Sequence, residues 1–249
     1  MEAKMMNRPD KEFRIKVTND GPYIVTGGVP LAQDIVVIGS DGEPEKWEKG
    51  PSYPDQESYA LCRCGASQNK PFCDESHFPI GFDGTETAAK AGYLDRAEKT
   101  SGEDLDLTWS GELCAVARFC HRGEEAWAYA ERSSDPEARK TAIEEACACP
   151  SGSLTAWDKK TGRAVEPDLE PSIGLIENPE AGTSGPIWVK GSIPIESADG
   201  TEYEIRNRVT LCRCGQSKNK PFCDGAHISI SLSPSTARPT KPPREPEST

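Results

Sequence analysis

Two stretches of the chain carry the same four side chains able to bind a metal, at the same spacing. Leu61-Cys-Arg-Cys-Gly-Ala-Ser-Gln-Asn-Lys-Pro-Phe-Cys-Asp74 is matched by Leu211-Cys-Arg-Cys-Gly-Gln-Ser-Lys-Asn-Lys-Pro-Phe-Cys-Asp224. A histidine follows each stretch at the same distance. The two sets are Cys62, Cys64, Cys73 and His77, and Cys212, Cys214, Cys223 and His227, both reading C-x-C-x8-C-x3-H. Three thiolates and one imidazole suit a soft metal. Two chemistries compete on the residues alone: a [2Fe–2S] cluster, or a structural zinc ion, for which Cys₃His is also a common set. The narrow C-x-C step counts against zinc, which more often takes C-x2-C or wider spacings. Buried cysteines without a metal are a poor account of a four-ligand pattern present twice.

Positioning these ligands requires short elements. The four-residue step from Cys73 to His77 predicts one helical turn, with Pro71 placed to start it. The first two cysteines of each set are expected at a loop or strand end. The repeat extends upstream, where Gly21-Pro-Tyr-Ile-Val-Thr-Gly-Gly-Val-Pro-Leu31 parallels Gly185-Pro-Ile-Trp-Val-Lys-Gly-Ser-Ile-Pro-Ile195. Both read as short strands with Gly and Pro at the turns. The first copy has extra residues around Glu43 to Glu57, rich in Pro, Gly and charge, which read as an inserted loop. Between the copies, the alternation of Leu105, Leu107 and Trp109 predicts a strand. Asp135 and Pro136 predict the N-cap and first residue of a helix whose apolar stripe is Ala138, Ala142, Ile143 and Ala146.

Composition narrows the classes. Hydrophobic residues make up 35% of the 249, with 21 prolines and 22 glycines, so the cores are expected to be small and the turns many. The mean hydropathy is −0.64. A net charge of −12 repels nucleic-acid phosphates and anionic membranes; its plain reading is solubility, with a docking face for a basic redox partner as the sharper one. There is no membrane-spanning apolar run, and Met1 to Asp10 lacks the apolar region of a signal peptide. A cytoplasmic, reducing location is expected, in which ten cysteines serve as metal ligands rather than disulfides.

The repeated stretch resembles the CDGSH (mitoNEET-like) iron–sulfur domain family, whose pattern is C-x-C-x2-Ser/Thr-x3-Pro-x-Cys-Asp-Gly-Ser/Ala/Thr-His. The second copy matches it throughout, to Asp224-Gly225-Ala226-His227. The first matches at Cys62, Cys64, Ser67, Pro71, Cys73, Asp74, Ser76 and His77 and departs at Glu75, where the family has glycine. The resemblance implies a [2Fe–2S] cluster at each copy. One iron falls to Cys62 and Cys64 and the other to Cys73 and His77, and likewise to Cys212 and Cys214 and to Cys223 and His227. At Glu75 the turn is expected to differ, and the carboxylate is expected to lower the first cluster's potential and make it more acid-labile. Single-motif members are homodimers, so two motifs in one chain imply a monomer with an internal pseudo-dimer.

Four cysteines remain: Cys114 and Cys120, spaced C-x5-C, and Cys147 and Cys149. The run Cys149-Pro-Ser-Gly-Ser-Leu154 resembles the last ligand region of divergent single-cluster [4Fe–4S] ferredoxins, which also use a C-x5-C pair upstream. These four are candidate ligands of an additional [4Fe–4S] cluster. The competing reading is a decayed site with buried cysteines, or a disulfide formed on oxidation. His121 reads as a surface or packing residue.

The expected fold is mainly β with small α+β elements. Two CDGSH-type β-cap and cluster-binding units (1–81 and 171–232) flank a central α+β, divergent ferredoxin-like segment (82–170), and a disordered tail (233–249) follows. The expected function is electron transfer or cluster transfer, with an unidentified redox partner or apo-acceptor protein and no nucleic acid or membrane insertion. The alternatives are a redox subunit of an oxidoreductase with a third cluster, and a zinc-stabilised interaction module. The sequence has no nucleophile–base pair, phosphate loop or nucleotide fingerprint to mark a catalytic site.

Overall fold

A computed structural model of the chain describes residues 12–230 and 232. The segment read as a disordered tail lies outside them. Strands β1 (Arg14–Val17) and β2 (Tyr23–Thr26) form a hairpin. β3 (Leu31–Ile38) and β4 (Pro44–Ser52) follow, and β5 (Ser58–Leu61) runs into the first C-x-C. The middle segment holds β6 (Glu98–Ser101), β7 (Leu105–Trp109), helices α1 (Glu125–Glu131) and α2 (Pro136–Ala148), β8 (Leu154–Asp158) and β9 (Arg163–Val165). The second copy is built from β10 (Ser172–Asn178), β11 (Thr183–Lys190), β12 (Ile195–Glu196) and β13 (Arg208–Leu211). The histidine of its set, His227, opens the short helix α3 (His227–Ile230). The protein is mainly β, as the sequence implies, and among the described residues no helix is long and apolar enough to cross a membrane.

Neither copy closes its own sheet. The first sheet runs β12-β1-β2-β5 and the second β13-β11-β10-β3-β4. The first sheet is extended by β12 of the second copy, and the second by β3 and β4 of the first. The exchange is reciprocal: Ile15 of β1 pairs with Ile195 of β12, and Ile173 of β10 pairs with Leu31 of β3, both in parallel register. Edge strands expose unpaired N–H and C=O groups, and each copy covers that edge for the other. The inward residues then merge. Ile15, Val17, Tyr23 and Val25 share one buried cluster with Ile173, Leu175, Ile187 and Val189. Each fully buried Ile, Leu or Val contributes roughly 1.5–3 kcal/mol, so two small sheets with alternating faces make one core that neither makes alone.

The residues read as an inserted loop are largely strand β4. It pairs with the free edge of β3 across Asp34↔Lys49 to Val37↔Lys46. The Pro, Gly and charge content that suggests a loop belongs to an exposed edge strand, where such residues block further pairing. β4 also docks the middle segment. Trp47 stacks on Phe119 at 4.7 Å, leans on Trp188 at 4.9 Å, and donates from Nε1 to the Ala148 carbonyl at 3.0 Å.

The middle segment is a four-stranded antiparallel sheet, β6-β7-β8-β9, covered by α1 and α2. The expected strand is β7, and its neighbours bury both faces rather than one. Helix α2 begins as the sequence predicts: Asp135 accepts from the Glu137 N–H and Pro136 is the first helical residue. Ala138, Ala142 and Ala146 are buried and Ile143 packs at the edge of the same core. Trp47→Ala removes the stacking and one end of the α2 anchorage. It is expected to destabilise the protein by about 3 kcal/mol, measured by chemical denaturation, with amide exchange in α2 accelerating more than in β11.

Candidate metal centres

Each C-x-C leaves the end of a sheet strand, β5 or β13, and the chain folds back to bring up the third cysteine. A bridge between Leu61 and Phe72, repeated by Leu211 and Phe222, fixes this return. The motif's polar residues are the scaffold. Ser67 Oγ donates to the Phe72 carbonyl at 2.7 Å and accepts from the Asn69 N–H at 3.0 Å; Ser217, Phe222 and Asn219 repeat both bonds. Asp74 accepts from the N–H groups of Gln68 (2.7 Å) and Ser76 (3.1 Å), and Asp224 from those of Lys218 and Ala226. Hydrogen bonds from the Ser76 hydroxyl and these N–H groups hold the Asp74 carboxyl down at about 2.

The expected helical turn from Pro71 to His77 does not form. Lys70–Pro71 and Lys220–Pro221 are cis, and Cys73 is joined to His77 by a non-helical turn through a left-handed residue, Glu75 (φ 68°), or Gly225 (φ 85°) in the second copy. A spacing of four suits a helix and a tight turn equally. The altered turn expected at Glu75 is also absent: glutamate adopts the conformation that glycine takes in the other copy.

The side chains meet in pairs. Cys62 and Cys64 Sγ lie 3.8 Å apart, and Cys73 Sγ lies 3.5 Å from His77 Nδ1. The second copy gives 3.6 Å and 3.3 Å. A tetrahedral metal with bonds of about 2.3 Å to sulfur and about 2.0 Å to nitrogen holds two sulfurs about 3.8 Å apart, and sulfur and nitrogen about 3.5 Å apart. Each pair thus has the edge length of one metal's coordination shell. Among the described residues, no three His, Cys, Asp or Glu side chains converge on the position of a single ion. Backbone N–H groups point at the sulfurs, from Ala66 to Cys64, from Glu75 to Cys73 and from Gly225 to Cys223, each at 3.4 Å. A hydrogen bond from Cys64, then N–H groups of Ser67, Gly65 and Cys64, pull the Cys62 thiol down to about 6 against burial; Cys212 is brought to about 6 the same way by Cys214. The same pairing raises the Cys64 and Cys214 thiols. Burial, helped by the Arg213 charge, brings His227 down to about 4, so the imidazole stays neutral.

The two copies differ in exposure. Cys212, Cys214 and Cys223 are all buried, whereas Cys64 and Cys73 are half-buried and Phe78 beside His77 is 72% exposed. Residues not singled out in the sequence complete the scaffold. The arginine inside each C-R-C is buried and holds carbonyls of its neighbours: Arg63 those of Thr18 and Gly84, Arg213 those of Gly185 and Ile176. Tyr23 of the first copy reaches the second, its hydroxyl 2.7 Å from the Cys212 carbonyl. The repetition of the arginine was a signal; Tyr23, replaced by Ile187 in the second copy, gave none.

In the middle segment, Cys114, Cys120 and Cys149 line one cavity with Ser151 and Ser153. Cys147 is turned away, its thiol 3.6 Å from the Val165 carbonyl. Two left-handed residues, Val116 (φ 55°) and Arg118 (φ 63°), wind the loop between Cys114 and Cys120; such turns direct N–H groups inward, as at many iron–sulfur sites. Burial alone would raise the Cys149 thiol, but Arg208, the Leu154 N–H and the two serines bring it below its ordinary value. Buried Glu145 of α2 lies 3.8 Å from Arg122, and burial raises its carboxyl to about 7. His121 is exposed and pairs with Glu125 at 3.0 Å.

The left-handed Glu75 carries strain that glycine does not, about 1 kcal/mol, partly offset by glycine's greater freedom in the unfolded chain. Glu75→Gly is expected to stabilise the protein by about 0.5 kcal/mol, read as a higher denaturation midpoint with an unchanged slope.

The family model described as iron-binding zinc finger, CDGSH type, matches residues 20–78 and 184–228. A second model, the divergent 4Fe–4S mono-cluster, matches residues 100–159. No curated protein and no solved structure matches the chain. The two matches of the first model contain the paired donors of each copy, and the match of the second contains the cavity of Cys114, Cys120 and Cys149. The chain is an iron–sulfur protein of the CDGSH type, with two such units in tandem and a divergent 4Fe–4S segment between them.

Proposed function

We propose that the protein is an electron carrier with two [2Fe–2S] clusters. Cys62 and Cys64 hold one iron of the first, and Cys73 and His77 the other; Cys212 and Cys214, and Cys223 and His227, divide the second in the same way. The observation that carries this reading is the separation of each four-donor set into two pairs of metal-edge length, with no three donors converging on one ion. A single zinc ion requires all four around one point, so the zinc-stabilised module is the weaker reading. A bound cluster supplies one-electron exchange without rearrangement of bonds.

The residues provide the setting for that exchange. N–H groups aimed at the sulfurs stabilise negative charge and favour the reduced state. His77 and His227 each present Nδ1 beside the cysteine of their pair. The reciprocal strand exchange supports an internal pseudo-dimer in a single chain. In the middle segment, Cys114, Cys120 and Cys149 are proposed to hold a further cluster, and Cys147 is left out. Three thiolates are one fewer than the four that a cysteine-bound four-iron cluster takes. The half-exposed first site, with Glu75 at its rim, also suits release of a cluster to an apo-acceptor protein.

His227 has a folded value below its ordinary one near 6.5. The unfolded chain therefore binds a proton that the folded one does not, and stability falls as pH drops from that value towards about 4. Solvent reaches Cys73 and not Cys223. Acidification is expected to bleach the first site at a higher pH than the second, followed by visible spectra of Cys223→Ala and Cys73→Ala proteins, each keeping one CDGSH-type site. Iron and sulfide analysis is expected to return two [2Fe–2S] equivalents from the two units. Zinc in their place, without sulfide, would sink the proposal. Glu75→Gly removes a carboxylate beside Cys73 and is expected to raise the first site's potential in a redox titration, leaving the second site's unchanged.

A further inference from the structure

The two ligand loops differ at Ala66/Gln216, Gln68/Lys218, Glu75/Gly225 and Ser76/Ala226, and for the pair Glu75/Gly225 the packing supplies the reason. Position 75 is an exposed glutamate; position 225 is a buried glycine in the same left-handed conformation. A Cβ at Gly225 would lie 2.3 Å from Val116 Cγ2 and 3.5 Å from the Cys114 carbonyl oxygen. The stretch from Cys114 to Val116, which opens the three-thiol cavity of the middle segment, thus lies directly on the turn between Cys223 and His227. Val116 takes a conformation rare for a β-branched residue to do so. The Gly225 N–H donates to Cys223 Sγ at 3.4 Å. One glycine therefore lies between the Cys223 sulfur and the Cys114–Val116 stretch, with no room for a side chain between them.

Other bonds hold the segment on this copy. Arg208 of β13, four residues before Cys212, caps the end of α2 by donating to the carbonyls of Ala146 (2.8 Å) and Cys147 (3.1 Å) and also to that of Cys149, beside the third thiol. Asn219 Nδ2 donates to the Glu112 carbonyl at 2.8 Å. On its far side the second loop meets the first. A Cβ on Gly215 would lie 2.5 Å from the Cys64 carbonyl oxygen, and one on Gly65 would lie 2.7 Å from that of Cys214. The buried second site thus touches the middle segment on one side and the exposed first site on the other.

We propose that the second CDGSH-type site is an electron relay between the three-thiolate site of the middle segment, reached across the Cys114–Val116 contact with Gly225, and the first CDGSH-type site, reached across the Gly65 and Gly215 contacts. The proposal rests on the iron–sulfur reading of all three sites. In each step one centre loses one electron and its neighbour gains it; no bond is made or broken and no proton is required. Tunnelling falls off exponentially with distance, so the order of contacts sets the order of the stations. The first site, with Phe78 and Ile80 exposed beyond it, is the end open to a partner.

The test is paramagnetic resonance on anaerobically purified full-length protein, poised stepwise with dithionite, with iron and sulfide counted in every sample. In the wild type, the second-site signal is expected to be broadened by magnetic neighbours on both sides. Cys149→Ala is expected to lose the middle iron together with the broadening from that side. Cys73→Ala is expected to lose first-site iron and keep the coupling to the middle segment. Gly225→Ala is expected to retain all iron and lose part of that coupling, because its methyl group forces Val116 outward. The relay is overturned if, with all three sites filled in the wild type, Cys149→Ala leaves the second-site signal unchanged or sharpens the first-site signal instead. It is also overturned if Gly225→Ala retains both iron and full coupling. Absence of iron from the middle site of the wild type overturns the underlying reading and the relay with it, and the iron count separates that outcome from the others.

Discussion

The structure depends on a reciprocal loan of strands. Each copy supplies three strands of its own sheet; the second lends β12 to the first, and the first lends β3, with β4 on its outer edge, to the second, so that Ile15 lies against Ile195 and Ile173 against Leu31. Without the loan, β1 and β10 would present open edges and each sheet would bury too little to stand alone. With it, the inner faces form one core, and the two C-x-C loops emerge back to back from adjacent strand ends. Glycines at 65 and 215 let the loops approach until each backbone meets the other's cysteine carbonyl.

Symmetry at the core coexists with asymmetry at the surface. The middle segment leaves the first copy and docks on the second, through Arg208, Asn219 and the seat at Gly225. The second site is buried as a result and the first remains open. Buried ligands in a low-dielectric setting resist proton entry and ligand exchange, whereas an open site admits a partner. One motif used twice thereby acquires two settings without any change in its three cysteines and one histidine. The substitution of Glu75 for glycine is tolerated because that position is exposed, while a side chain at 225 would collide with Val116.

Much of this was legible in the sequence, and the failures share a cause. The two repeated Cys and His sets, the strands before them and the capped helix α2 were visible because each is written in local spacing or in repetition. The strand exchange was not, since Ile15 and Ile195 meet across most of the chain and no local pattern names a partner. β4 read as a loop because an exposed edge strand has a loop's composition. The turn from Cys73 to His77 read as helical because a separation of four fits both. At the middle site the thiols were found, but the exclusion of Cys147 required three dimensions: it ends α2 facing Val165, while Cys149, two residues on, faces the cavity.

The central claim is that each ligand set is divided between two metals. The most direct measurement is anomalous diffraction from crystals of the anaerobically purified protein at the iron and zinc absorption edges. The account predicts two iron peaks per copy, one beside Cys62 and Cys64 and one beside Cys73 and His77, repeated beside Cys212 and Cys214 and beside Cys223 and His227. One zinc peak within reach of all four ligands of a set would contradict it.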